Sequence, residues 1–188
     1  MYGSTEKMRS RKQFLTTVGV GMAGVVLAGN HGIQKVGSVP QVEFAFTANI
    51  TLGTVQEVGD TPHGRRRIIP ITGGTFEGPL IRGTVEPGGA DWQIIRPDNV
   101  AELEAKYTLR TNDGVLIYIV NRGYRHGPAE VMLRLSKGES VDPKEYYFRA
   151  SPVFETASEK YNYLNKYVYL ASGERKRESV LIHFYKVL

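Results

Sequence analysis

Cysteine is absent from this 188-residue chain. That excludes a disulfide framework, a thiolate nucleophile and a zinc–thiolate site, and leaves the redox compartment open. Tryptophan occurs once. The four histidines (His31, His63, His126, His183) lie far apart and lack the paired spacing of a metal site. There is no phosphate loop, no dinucleotide fingerprint and no serine nucleophile elbow. The longest uncharged run of small and apolar residues near the start, Val18–Ala28, is too short for a spanning helix, which needs ~20 residues.

The net charge of +5 would point to nucleic acid or a membrane surface if it were spread through the chain. It is not. Residues 1–31 hold Lys7, Arg9, Arg11 and Lys12 against Glu6, a net of +3, which leaves +2 for the rest. No nucleic-acid partner is expected.

The basic cluster, the apolar stretch and the small residues Val26-Leu27-Ala28 follow the order of a secretory signal. Ser10–Leu15 resembles the twin-arginine export motif, with Lys12 where the second arginine belongs. Residues 1–29 are therefore read as an export signal, with an attached amphipathic helix or tail as the alternative. Residues 30–40 read as a linker and 41–188 as one domain. Export to the periplasm is the expected location and the cytoplasm the alternative. No stable membrane span is expected after processing.

From Gln41 onward the dominant period is two. Val42, Phe44, Phe46, Ala48 and Ile50 share one face of the first strand. Further strands are expected at 66–72, 79–86, 91–96, 101–111, 115–122, 130–135, 145–150, 167–171 and 180–187. Asn112-Asp113-Gly114 predicts a hairpin between Glu104–Thr111 and Val115–Arg122. Helical character is confined to one or two turns over 158–166. Glycine pairs at 73–74 and 88–89 sit where strands must bend or approach closely. The fold class is all-β: a single antiparallel barrel of roughly eight to ten strands with a small lumen and at most one short helix.

The block Gly73–Trp92, the segments Tyr107–Gly114 and Tyr118–Gly123, the stretch Tyr147–Thr156, Tyr163-Leu164-Asn165 and the closing strand Val180–Val187 together resemble one family. It is the domain of unknown function 3237, also called uncharacterised protein family 0311. The resemblance covers roughly residues 41–188 and implies a compact β-barrel. It implies no activity.

Candidate chemistry starts at Asp91-Trp92. An aspartate facing an apolar lumen would have a raised pKa and serve as a general acid or base. The plain alternative is a turn-capping Asp91 with Trp92 in the core. Arg149 is the candidate anion holder, with a structural ion pair to Asp91 or Glu155 as its alternative. Trp92, Tyr107, Asn121, Phe154 and Glu155 are candidate ligand contacts. Glu104 is read as part of an outer face of cross-strand ion pairs.

These groups can move protons and stabilise an enolate, but they form no redox centre and no strong nucleophile. Three functions remain open. One is a cofactor-free, metal-free isomerase, cyclase or lyase acting on a small apolar or aromatic molecule. A second is a periplasmic carrier or sensor of such molecules. The third is a structural or interaction module with a solid interior. A homodimer is compatible with all three.

Overall fold

The computed structural model describes residues 39–188; the expected export signal and most of the linker lie outside the described residues. Ten strands follow in order: β1 (Val42–Leu52), β2 (Gln56–Thr61), β3 (Gly64–Glu77), β4 (Arg82–Val85), β5 (Ala90–Ile95), β6 (Ala101–Thr111), β7 (Leu116–His126), β8 (Tyr147–Glu155), β9 (Tyr169–Arg175) and β10 (Ser179–Val187). One α-helix, α1 (Ala129–Ser136), joins β7 to β8.

All pairings are antiparallel. The sheet runs β1-β10-β9-β8-β7-β6-β4-β3 and closes because β1 also pairs with β3. The result is a closed antiparallel barrel of eight strands with two extra strands. β4 and β5 lie end to end in one slot between β3 and β6, and β2 pairs only with the first half of β3. β3 runs through the first glycine pair instead of ending there. Gly74 has φ 135°, and a Cβ on it would lie 2.1 Å from the Asn49 carbonyl oxygen, so glycine permits this bend against β1.

Two expectations are corrected. Residues 130–135 form α1, not a strand. Val131 and Leu135, four apart, are its buried residues, Leu133 is exposed, and Glu130 and Arg134 suit the dipole at its two ends. Of the expected β1 row only Phe46, Ala48 and Ile50 face inward, and Leu52 joins them at the end of the strand. A bulge between Phe44 and Phe46 turns Val42 and Phe44 outward. The 158–166 segment holds a single 3₁₀ turn, Asn162–Asn165.

The barrel interior has two unlike halves. One end is a solid plug. Phe46 is fully buried, with ring centroids 5.7 Å from Phe76, 5.8 Å from Phe154 and 4.4 Å from Phe184. Tyr169, Leu109, Ile117, Ile119 and Leu164 fill the remaining space. Toward the other end the inward rows turn small. Ala105, Gly123, Ala150 and Gly173 take positions on β6, β7, β8 and β9 where the plug has Leu, Ile and aromatic residues. Side-chain volume falls, and a cavity remains.

Gly173 is where this space is most sensitive to one methyl group. A Cβ there would lie 2.5 Å from the Phe148 ring, and Phe148 lines the cavity. Gly173→Ala is expected to displace that ring into the lumen and to destabilise by about 1–3 kcal/mol, as overpacking does. Chemical denaturation and a structure of the variant test this. An unshifted Phe148 with wild-type stability would refute it.

Candidate functional site

The cavity is lined by Ile50, Leu52, Ile69, Ile71, Leu103, Tyr107, Phe148 and Ile182 among apolar residues, with Asp91, Gln93, Asn121, Arg125 and Arg175 as polar ones. This cavity has a volume of about 60 Å³. Ile69, Arg125 and Arg175 are shared with a wider mouth of about 430 Å³, bounded by α1, the β5–β6 turn, Arg65 and Arg67. An apolar pocket with a few convergent polar groups is the usual form of a small-molecule site.

Asp91 is placed by β5, where residues 91, 93 and 95 face inward. The β5–β6 ladder pairs 90 with 106, 91 with 105, 94 with 102 and 95 with 101, but carries no pair between. Into that gap the Glu104 backbone N–H donates to Asp91 Oδ1 at 3.0 Å, and Gln93 Nε2 donates to Oδ2 at 3.2 Å. Burial dominates and pushes the Asp91 carboxyl above its ordinary range. The Glu104 and Gln93 bonds and the nearby Arg125 and Arg67 charges pull it back only in part.

Tyr107 lies deeper. Its hydroxyl is buried with no hydrogen-bond partner, and burial pushes the phenol well above its ordinary value, so it stays protonated. Asn121 is also buried, with Oδ1 unpartnered. Unpaired buried polar groups destabilise a fold, and they mark where a ligand could complete the bonding. Tyr107→Phe is therefore expected to keep or slightly raise the melting temperature while weakening retention of a lumen ligand. Calorimetry with ligand titration reads both. A clear loss of stability would show the hydroxyl to be structural.

The other sequence candidates fall elsewhere. Trp92 is the outward neighbour of Asp91, since adjacent strand residues point to opposite faces. It is 37% exposed, carries Lys106 Nζ 5.7 Å from its ring centroid, and lines an outer groove of about 390 Å³ with Arg66, Arg122 and Tyr124. It neither packs in the core nor walls the lumen. Arg149 is exposed on the outer face of β8, where Nη1 donates to the Phe148 carbonyl at 2.8 Å and the guanidinium lies 5.6 Å from the Tyr147 ring. It meets neither Asp91 nor the cavity. Glu155 is exposed on the same face. Phe154 points inward but belongs to the plug. Glu104 pairs with Arg122 at 3.0 Å and Lys106 at 2.8 Å on the outside.

Beyond the sequence candidates and Gln93, the cup or its mouth is lined by Arg67, Arg125 and Arg175. Each continues an inward row: Ile71-Ile69-Arg67 on β3, Ile119-Asn121-Gly123-Arg125 on β7 and Ala171-Gly173-Arg175 on β9. Arg67 shares Glu57 with Arg65, at 3.0 and 3.1 Å. Arg125 and Arg175 form no ion pair with any described carboxylate, and Arg125 Nε is buried without a partner. Burial, with repulsion from Arg175 and Arg67, pushes the Arg125 guanidinium down to about 10 against the opposing pull of Asp91.

Fold and site together define a half-plugged antiparallel β-barrel with an apolar cup that carries a few polar groups. The chain belongs to the family described as protein of unknown function (DUF3237), which matches residues 40–187. A UPF0311 protein of Rhodopseudomonas palustris is 45% identical over 148 residues, covering 79% of this chain and 97% of that protein. A crystal structure of a conserved protein of unknown function from the same organism superposes with a TM-score of 0.78 at 44% identity, over 80% of this chain and 99% of the other. A β-barrel-like protein from Acinetobacter baumannii superposes with a TM-score of 0.72 at 42% identity, over 82% and 100%. A hydroalkoxylation enzyme of Penicillium herquei is a more distant relative, 28% identical over 126 residues, covering 67% of this chain and 69% of that enzyme.

Proposed function

We propose that the cup binds a small, mostly apolar organic molecule and that Asp91 transfers a proton to or from it. The observation that carries this reading is a carboxyl group whose pKa is raised by burial, opening on a cavity beside the unpartnered Tyr107 hydroxyl. A carboxyl held above its ordinary range by burial is suited to general acid–base work.

The reactions that fit require one proton delivered and one removed: isomerisation beside a carbonyl, cyclisation, or addition and elimination at a C=C bond. The distant fungal relative's name supports the last of these. In general chemistry, hydroalkoxylation adds an alcohol across a C=C bond: the oxygen bonds to one carbon, a proton to the other, and no electron acceptor is needed. Asp91 would hand a proton to that carbon, and its carboxylate would take back the proton the alcohol O–H loses, while Tyr107 and Asn121 orient the oxygen functions. The location proposed is the periplasm, on the strength of the export-like residues 1–29. The cavity left in the interior disfavours the solid structural module.

The test starts with native mass spectrometry of protein purified gently from its own host. A mass excess lost on denaturation identifies the lumen compound. That compound is then incubated with the protein in D₂O. Enzyme-dependent deuterium incorporation at carbon supports catalysis. Retention without incorporation would transfer the reading to the carrier.

A further inference from the structure

Arg125 and Arg175 have no role in that acid–base step, and their surroundings do not explain them as structural residues. They flank the passage where the narrow cup meets its mouth, lining both. Arg67 and Arg65 on the neighbouring hairpin already take the Glu57 carboxylate. Neither Arg125 nor Arg175 has a described carboxylate within ion-pair distance. The Arg125 guanidinium carbon lies 6.0 Å from the Phe148 ring centroid, and the Arg175 backbone N–H donates to the Tyr146 hydroxyl at 2.8 Å.

A partly buried guanidinium without an acceptor lowers stability, and two such groups around one passage repel each other. Folds keep such an arrangement where an anion arrives to satisfy it. The guanidinium fork presents paired N–H donors that match the oxygens of a carboxylate or phosphate.

We propose that Arg125 and Arg175 seat the oxyanion head of the lumen ligand, so that the substrate class is an unsaturated or carbonyl-bearing organic acid with an apolar body. The head sits at the neck, and the apolar body extends into the cup among Ile50, Ile71, Leu103 and Tyr107. That places the reacting part of the molecule on the level of Asp91. The inference builds on the lumen reading above and adds a charge requirement to it. It also supplies a consequence for the acid: an anion that neutralises Arg125 removes part of the attraction that favours the ionised Asp91, so the carboxyl keeps its proton. Binding of the ligand thus prepares Asp91 to donate.

Three probes of similar size separate the possibilities: cinnamate, its neutral isostere cinnamamide, and phenyl phosphate. Binding to the full chain is followed by calorimetry and thermal shift. At least one anionic probe is expected to bind tenfold or more tightly than cinnamamide, and the tighter of the two names the head group. Arg125→Met and Arg175→Met are expected to erase that preference. Each should also raise the melting temperature of the unliganded protein, because a cation without a partner has been removed. The first comparison needs no variant, so a misfolded variant leaves it intact. Equal binding of cinnamamide and the two anions would overturn the anion seat while leaving the lumen site standing. No binding of any probe up to 10 mM would overturn the seat as well. Deuterium incorporation into the natural lumen compound, which depends on Asp91 and not on these probes, judges the acid–base reading separately.

Discussion

Asp91→Asn is expected to slow deuterium incorporation into the lumen compound by ~10²–10⁴-fold, the range a positioned general acid or base contributes. The variant should fold. The asparagine carbonyl can still accept from the Glu104 N–H in the gap of the β5–β6 ladder, and the Gln93 amide can turn to meet the new N–H₂. Its pH behaviour gives a second readout. A carboxyl whose folded pKa is raised binds its proton more tightly in the native state than in the unfolded chain. Native stability therefore falls as pH climbs from the ordinary value of 3.8 through the raised one. Asparagine has no such term. The stability difference in favour of Asp91→Asn should be smallest at the acid end and grow toward neutrality. Undiminished incorporation would remove Asp91 from the chemistry. A pH-independent difference in stability would show that the carboxyl titrates normally.

The distribution of this site across the sequence explains which parts could be read early. Periodicity of two, the Asn112-Asp113-Gly114 hairpin and the glycine pairs carry the barrel, because each is a local backbone requirement. Parity also placed Tyr107 and Asn121 correctly on inward rows. Parity further excludes two pairings that look attractive in one dimension. Asp91 and Trp92 are adjacent, so one faces in and the other out. Arg149 and Phe154 differ by an odd number of positions on β8, so Arg149 cannot share Phe154's inward face. Arg125 and Arg175 were hidden for a different reason. Gly123 and Gly173 interrupt the apolar rows of β7 and β9, and a charged residue beyond a glycine reads as the end of the buried face. In a barrel with an open cup, the row continues inward past the glycine and meets the mouth. Level along the barrel axis is harder still. Phe154 faces inward as expected, but strand stagger puts it in the plug, and no local pattern reports that stagger. The helix over 129–136 was concealed because EVMLRL suits either period over so short a run.

The plug makes a prediction that separates stability from function. Phe46→Ala is expected to destabilise the protein by about 3–5 kcal/mol, the range for emptying a buried aromatic site. Phe46 sits at 0% exposure between Phe76, Phe154 and Phe184, so its removal opens a void bounded by three rings. Those rings are held by three strands (β3, β8 and β10) of a closed barrel, which limits how far they can collapse to refill it. For a domain of this size the melting temperature should drop by roughly 6–20 °C. The cup should be little affected, because none of these four phenylalanines lines it; its walls come from Ile50, Tyr107, Phe148 and the small residues beyond. Below its melting point, Phe46→Ala should therefore bind lumen ligands within a few-fold of wild type, while Gly173→Ala, milder in stability, should lose more of that binding. Differential scanning calorimetry and ligand titration on the two variants read both quantities. A Phe46→Ala protein that keeps its stability would overturn the rigid plug, and one that loses the ligand in proportion to its stability would mean that plug and cup are a single packed unit.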